Sequence, residues 1–314
     1  TENRGPLTGM KVIELAHVMA GPTCGRMLAD MGADVIKVER VPDGDDTRRF
    51  LPPGIQGESA AYIMMNRNKR GIAIDLKSED GKRILLRMIE TADVIIENYR
   101  ADTMSKLGLG YDDLKTNNPG LIYCAISGFG RTGPYASRGG YDLIAQGMSG
   151  LMSITGEAPG REPVKVGAPV TDITAGILGA LGVCAAYAQK LKTGRGQMVD
   201  TSLYEAGITH TYWQSAIALA TGISPGPMGS RHPLNTPYQS FKTADGWLNL
   251  GASNTRLWSR LLEITSLQKL EDDPRFKDGA TRMANIDALI STLNKVLETK
   301  PTSHWLAEME RVGI

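Results

Sequence analysis

The sequence predicts an α/β fold, with a Rossmann-like open parallel sheet in a large domain and a smaller α+β domain after it. Two observations carry the prediction. Short β-rich runs alternate with helix-compatible stretches over the first two thirds of the chain, the pattern of repeated βαβ units. Glycine is plentiful, 36 of 314 residues, and aromatic residues make up only 6%, a balance that suits tight turns, close helix packing and backbone lying against a ligand. A chain of 314 residues has material for about two domains.

The first unit runs from Lys11 to Arg40: a strand in KVIEL, a loop with Gly21 and Pro22, a helix in TCGRMLADMG and a second strand in DVIKVE. GIAIDL is the next strand, and Ser78 opens the helix SEDGKRILLRMIETA with Glu79 and Asp80 in its first turn, where the helix dipole favours acidic groups. DVIIEN follows as a strand, and LIYCAIS is the strand of a third unit. The Ala- and Gly-rich ITAGILGALGVCAAYAQKL reads as a helix whose small residues allow tight contacts; TGRGQ turns the chain into the strand MVDTSL, which closes the large domain, residues 1–205. Residues 206–224 read as a linker helix. In the small domain, 225–314, YQSFKTADGWLNLGAS gives two strands around an Asp245-Gly246 turn, and LWSRLLEIT, Ile286–Leu297 and Ser303–Val312 give helices.

Lys and Arg number 35 against 34 Asp and Glu, a net charge of +1, so neither nucleic acid nor an acidic membrane is an expected partner. Any basic site must be local. Cys24, Cys124 and Cys184 are odd in number and widely spaced, which excludes a disulfide framework and a Cys-x-x-Cys metal pair. A reducing compartment fits, the cytoplasm or alternatively the mitochondrial matrix. No apolar run is expected to reach the length of a membrane span, and the opening TENRGPLTG is polar, so a soluble protein is expected.

Gly128, Gly130 and Gly133 in GFGRTG match the dinucleotide fingerprint, but Pro134 and Gly139-Gly140 stand where a helix should open, so a loop carrying backbone near a ligand is the better reading. Glu39 follows Gly21 by 18 residues, close to the ribose-binding position of nucleotide folds, with Arg40 beside it. Lys69, Arg70, Lys77, Arg100, Lys106, Arg131 and Arg138 recur at strand ends and nearby loops, where open α/β sheets bind ligands, so a polyanionic nucleotide is plausible beside the plainer reading of ordinary surface charges. In PVTDITAG, Asp172 precedes the Ala-Gly helix as an N-cap; a carboxylate there, held ionised by the helix N-terminus, also suits a nucleophile. His17 is open between lining a site and a structural role, while His210, His232 and His304 read as structural; no two histidines have metal-ligand spacing, and no metal site is expected.

The segments LAHVMAGP, GADVIKVER, MNRNKRGIAIDLK, DVIIENYRADTMSKLGLGYDDL, GYDLIAQGMSGLMSITG and above all VGAPVTDITAG resemble the type III CoA-transferases, the family of formyl-CoA transferase and carnitine CoA-transferase. The resemblance runs from about Pro6 to the end. It implies that Asp172 is the catalytic nucleophile, that Arg40, Lys77, Asn98, Tyr99, Arg100, Lys106, Arg138 and Tyr141 lie at the CoA site, and that His17, Met19 and Gly140 line the substrate pocket. It implies no permanently bound cofactor, CoA thioesters as substrates, a homodimer of interlocked rings, and a chain that continues beyond Ile314. Met19 stands where formyl-CoA transferase has Gln, and the second domain lacks that enzyme's glycine tetrad. The PYQSF segment is more similar to relatives that use succinyl-CoA and dicarboxylic or branched acids.

The chemistry agrees with the resemblance. A carboxylate attacks a thioester only when held in line with water kept away, because the product is a hydrolysable anhydride. The leaving thiolate comes from a thiol with a pKa of about 8.5, so no general acid is demanded. Two alternatives stand beside transfer: a 2-methylacyl-CoA racemase, whose His is Tyr141 here, and a non-catalytic CoA-binding protein.

Overall fold

The computed structural model describes residues 5–314. Six parallel strands form one sheet: β1 (Lys11–Glu14), β2 (Asp34–Glu39), β3 (Arg70–Ala73), β4 (Val94–Glu97), β5 (Ile122–Ser127) and β6 (Met198–Ser202), in the order β3-β2-β1-β4-β5-β6. This is the doubly wound order, in which chain progression reverses between β1 and β4.

The strands read as continuous apolar runs because helices cover both faces, and alternate side chains enter two different cores. Val12, Val94, Ile96, Cys124 and Ile126 face one core, and Ile13, Ile95, Tyr123 and Ala125 the other. The first core is closed by helix α1 (Ala20–Asp30) and the second by α2 (Glu79–Ile89), whose N-cap Ser78 accepts the Gly81 N–H at 3.0 Å, as its sequence predicts. Helix α1 starts earlier than expected, enclosing Gly21 and Pro22 in its first turn, where a missing proline N–H leaves no bond unmade.

Helix α3 (Asp142–Met148) follows the long loop after β5, and α4 (Val170–Thr193) leads by a left-handed Gly194 (φ 71°) toward β6. The expectation that no apolar run reaches membrane-span length is corrected by α4, 24 residues with a mean hydropathy of 1.5 over its most apolar window. Here the helix lies against the sheet, with Ala175, Gly176, Gly179 and Val183 buried. Its glycines set the approach: a Cβ on Gly176 would lie 2.6 Å from the Ala20 carbonyl oxygen of α1, and one on Gly179 would lie 2.9 Å from Cδ1 of Ile126.

The chain divides into two compact units, one comprising the residues up to Met152 with Lys165–Tyr212, the other Ser153–Val164 with Trp213–Ile314. The sequence reading divides the chain at 205 and 225; in the structure residues 153–164 cluster with the second unit, where the Gly229 N–H donates to the Gly156 carbonyl at 2.8 Å. The expected linker helix is two helices, Leu203–Thr209 and Tyr212–Thr221. The second unit has the expected antiparallel pair, β7 (Tyr238–Lys242) and β8 (Trp247–Gly251), and helices Thr255–Thr265, Ile286–Leu297 and Thr302–Val312 around a core of its own that includes Phe241, Trp258 and Trp305.

Gly176→Ala should destabilise the protein by roughly 1–3 kcal/mol, because the added methyl meets backbone and the Thr23 side chain with no free rotamer to yield. Denaturant titration measures it; an unchanged midpoint would show that α1 and α4 can separate freely.

Candidate active site

The carboxyl ends of β1, β4, β5 and β6 meet at one cleft of about 330 Å3, at the point where the strand order reverses. The turn after β1 supplies His17, Val18 and Met19; the turn after β4 supplies Asn98, Tyr99 and Arg100; the loop after β5 supplies Arg138, Gly140 and Tyr141; and α4 supplies Asp172. A smaller cleft shares His17 and Tyr99 with it and is lined by Lys37, Glu39, Arg40 and Asp45.

The loop after β5 takes its shape from glycine. A Cβ on Gly128 would lie 2.6 Å from the Cα of Gly140, and one on Gly140 would clash with the Cα of Gly128, so two backbones touch where any side chain would part them. Gly130 and Gly133 have φ of 84° and 88°, and no helix begins before Asp142. The segment is a loop presenting backbone to the cleft.

Asp172 is not the N-cap. That position belongs to Pro169, which offers no side-chain bond, and Asp172 is the third residue of the helix, within its first turn. The helix start is tied instead by Asp142: its Oδ1 accepts the Thr171 N–H at 3.0 Å and the Thr171 hydroxyl at 2.8 Å. Gln146, fully buried, donates from Nε2 to Asp142 Oδ2 at 2.7 Å, and its Oε1 accepts the Val166 N–H at 2.9 Å.

Burial first, and then the Asp142 charge, push the Asp172 carboxyl up to about 7. The expectation that the helix N-terminus holds it ionised is therefore corrected: desolvation and a like charge outweigh the dipole. Burial also lowers the pKa of His17, against the opposing pull of Asp45 and Asp46.

The turn after β1 is strained. Val18 has φ of 67°, a conformation that is an outlier for a β-branched residue and carries strain of order 1–3 kcal/mol. Its N–H donates to both oxygens of Asp45, at 3.2 and 3.3 Å, and a hydrogen bond to a charged group contributes roughly 1.5–3 kcal/mol, enough to offset the strain. On the preceding residue, the His17 N–H donates to Asn98 Oδ1 at 3.0 Å and Asn98 Nδ2 donates back to the His17 carbonyl at 2.8 Å.

Of the residues expected at the site, His17, Met19, Asn98, Tyr99, Arg100, Arg138, Gly140, Tyr141 and Asp172 line the main cleft, and Arg40 lines the smaller one while paired with Asp46. Tyr141 is 77% exposed, and the Arg138 guanidinium stacks on Tyr135 at 4.0 Å. Asn98 spends its carboxamide on the His17 backbone. Lys77 lies in the exposed turn after β3, and Lys106 pairs with Asp102 on a short helix; neither lines a cleft.

Four charged candidates are corrected. Glu39 is taken up by Arg48 (2.7 and 2.8 Å), the Tyr62 hydroxyl (2.8 Å) and the Asp45 N–H (2.9 Å), which leaves it no free oxygen for a ribose. Lys69 is buried against Glu14 at 2.8 Å, and Arg131 donates to the buried Glu97 at 2.7 Å. Arg70 opens β3 at the opposite end of the sheet and pairs with Asp34 at 2.6 Å. Asp45, Asp142, Gln146 and Val18 were missed, although Asp142 and Gln146 lie inside the GYDLIAQG segment that carries the resemblance.

Residues 7–314 match CoA-transferase family III. The chain belongs to that family and is an enzyme of it. It is 46% identical over 296 residues to succinate–glutarate CoA-transferase of Agrobacterium fabrum, covering 91% of this chain and 74% of that protein. To human succinyl-CoA:glutarate CoA-transferase it is 38% identical, covering 99% and 71%. Among solved structures, a CAIB/BAIF family protein from Brucella suis superposes with a TM-score of 0.85 at 40% identity, covering 99% of this chain and 83% of that one. CoA thioesters are the substrates in CoA-transferase family III.

The raised pKa of Asp172 has a stability consequence with a definite sign. The folded protein binds this proton more tightly than the unfolded chain, so stability falls as pH rises from about 4 to about 7. Asp172→Asn removes that dependence. Its melting temperature should match the parent near pH 4 and exceed it increasingly up to pH 8 in parallel thermal scans.

Proposed function

We propose that this CoA-transferase moves CoA from succinyl-CoA to a dicarboxylic acid through covalent intermediates on Asp172. The observation that supports it is the Asp172 carboxylate itself, partly buried at the reversal point of the sheet and more basic than an ordinary aspartate. Each ionised Asp172 is thereby a better nucleophile, while the group is half protonated near pH 7. The similarity to enzymes named for succinyl-CoA and glutarate supports the choice of substrates.

In this reading an Asp172 oxygen attacks the thioester carbonyl carbon, the C–S bond breaks, and CoA leaves as thiolate from a mixed anhydride. The thiolate attacks the aspartyl carbonyl and releases succinate, leaving an aspartyl-CoA thioester. The acceptor carboxylate displaces CoA to form a second anhydride, and the thiolate attacks its acceptor carbonyl, which frees Asp172 and the new acyl-CoA. Backbone N–H groups near Gly140 take the charge that develops on the carbonyl oxygens. CoA lies along the strand ends, with Arg40, Lys77, Arg100, Lys106 and Arg138 supplying cationic groups and Tyr99 and Tyr141 flanking it. A homodimer, as interlocked rings, belongs to the same reading and is tested by sedimentation of the purified protein.

The deciding experiment incubates the protein in D2O with succinyl-CoA and a panel of carboxylic acids and reads products by mass spectrometry. A new acyl-CoA without α-deuterium is expected; α-deuterium without a new acyl-CoA, in a 2-methylacyl-CoA control, would mean proton transfer instead. Asp172→Ala should abolish turnover while CoA still binds in calorimetry, and retained turnover removes Asp172 as nucleophile. The parent's kcat/KM should rise with pH through a midpoint near 7. Arg40→Ala should weaken CoA more than dephospho-CoA if it meets the ribose phosphate; equal losses refute that placement.

A further inference from the structure

We infer that Asp45 is a positioning residue for CoA transfer: its carboxylate holds Val18 in a left-handed backbone conformation and so fixes the His17–Met19 turn, one wall of the cleft. The inference rests on the reading of this cleft as the site of transfer.

Three observations carry it. Val18 is a β-branched residue at φ 67°, where glycine would sit without strain, so something other than its own preference keeps it there. Its N–H is aimed between the two oxygens of Asp45, a residue 27 positions away, 3% exposed, in the loop after β2. Asp45 in turn has no freedom to follow the turn if it relaxed. Its Oδ2 is held by the Lys37 ammonium at 2.8 Å, and its Oδ1 accepts the Thr47 N–H at 2.9 Å and the Thr47 hydroxyl at 2.7 Å. Lys37 is itself anchored to Glu14 at 3.0 Å and to the Ala16 carbonyl at 2.8 Å, at the end of β1.

What the turn controls is the geometry across the cleft. Val18 leads into Met19, the N-cap of α1, which makes no side-chain cap bond, so the direction in which α1 begins is set by backbone bonds upstream. The Ala20 carbonyl then packs against Gly176, one turn from Asp172. A flip of Val18 to negative φ would move Met19 and the first turn of α1 relative to the nucleophile, without removing any group that touches a substrate.

A double-mutant cycle tests this in the full chain. Asp45→Asn is made in the Val18 background and in a Val18→Gly background, and kcat, the acyl-CoA KM and the thermal midpoint are measured with succinyl-CoA and the best acceptor. Glycine reaches positive φ unaided. Asp45→Asn should therefore lower kcat by about tenfold or more with Val18 and by less than about threefold with glycine, with KM moving less than about threefold in both. Equal losses of kcat in the two backgrounds, or a loss confined to KM, overturn the positioning role. Should Asp45→Asn fail to fold, the cycle is run with Asp45→Glu, which keeps a negative charge beside Lys37 while displacing the carboxylate from the Val18 N–H; the same difference between the two backgrounds is expected, and equal losses of kcat overturn the inference. Turnover by Asp172→Ala would instead refute the reading of the cleft, independently of the cycle.

Discussion

Four ionised side chains are buried together where the first two strands end, and the cleft is built around the way their charges are satisfied. Lys37 donates to Glu14 and the Ala16 carbonyl and is ion-paired with Asp45; Lys69 is bonded to the Pro22 carbonyl and Asn66 and ion-paired with Glu14. Each ammonium thus has two hydrogen bonds and an ion-pair partner within 3.0 Å. Such a set is tolerated only when complete, because removing one partner of a buried pair leaves an uncompensated charge and costs about 3–5 kcal/mol. That requirement joins β1, β2, the start of α1, the helix Ala60–Asn66 and the loop after β2. It also explains Gly25, where a Cβ would collide with the Glu14 carboxylate.

The opposite wall works by a different balance. Asp142 serves two purposes with one carboxylate: it ties the first turn of α4 through Thr171, and its charge adds to burial in raising the pKa of Asp172. A local N-cap on α4 would have satisfied the helix but left Asp172 without this neighbour. Supplying the bond from α3 couples the position of Asp172 to its basicity. The two walls meet where Ala20 of α1 packs on Gly176 of α4, so the buried charges beneath one wall bear on the geometry of the other.

Much of the site was legible as segments and little of it as interactions. Asp172 and the turns after β1 and β4 stand in recognisable stretches, and the glycines of GFGRTG and Gly139-Gly140 mark a loop. The charged candidates misled because a charge at a strand end looks the same whether it faces solvent or a partner. Glu39 is consumed by Arg48 and Tyr62, Lys69 by Glu14, and Arg131 by Glu97, partners 9 to 55 positions away. The start of α4 was misjudged for the same reason, since its cap comes from Asp142, 29 positions earlier.

The sequence by itself determined most of the elements and the parallel sheet, because β-rich runs, helix periodicity and the conformational limits of glycine and proline act between near neighbours. The tertiary structure decided which charges are free to meet a ligand, why Val18 can hold a left-handed turn, and how basic Asp172 is. Those properties are sums over groups brought together through space, and desolvation and Coulomb interaction depend on distances that no local pattern encodes.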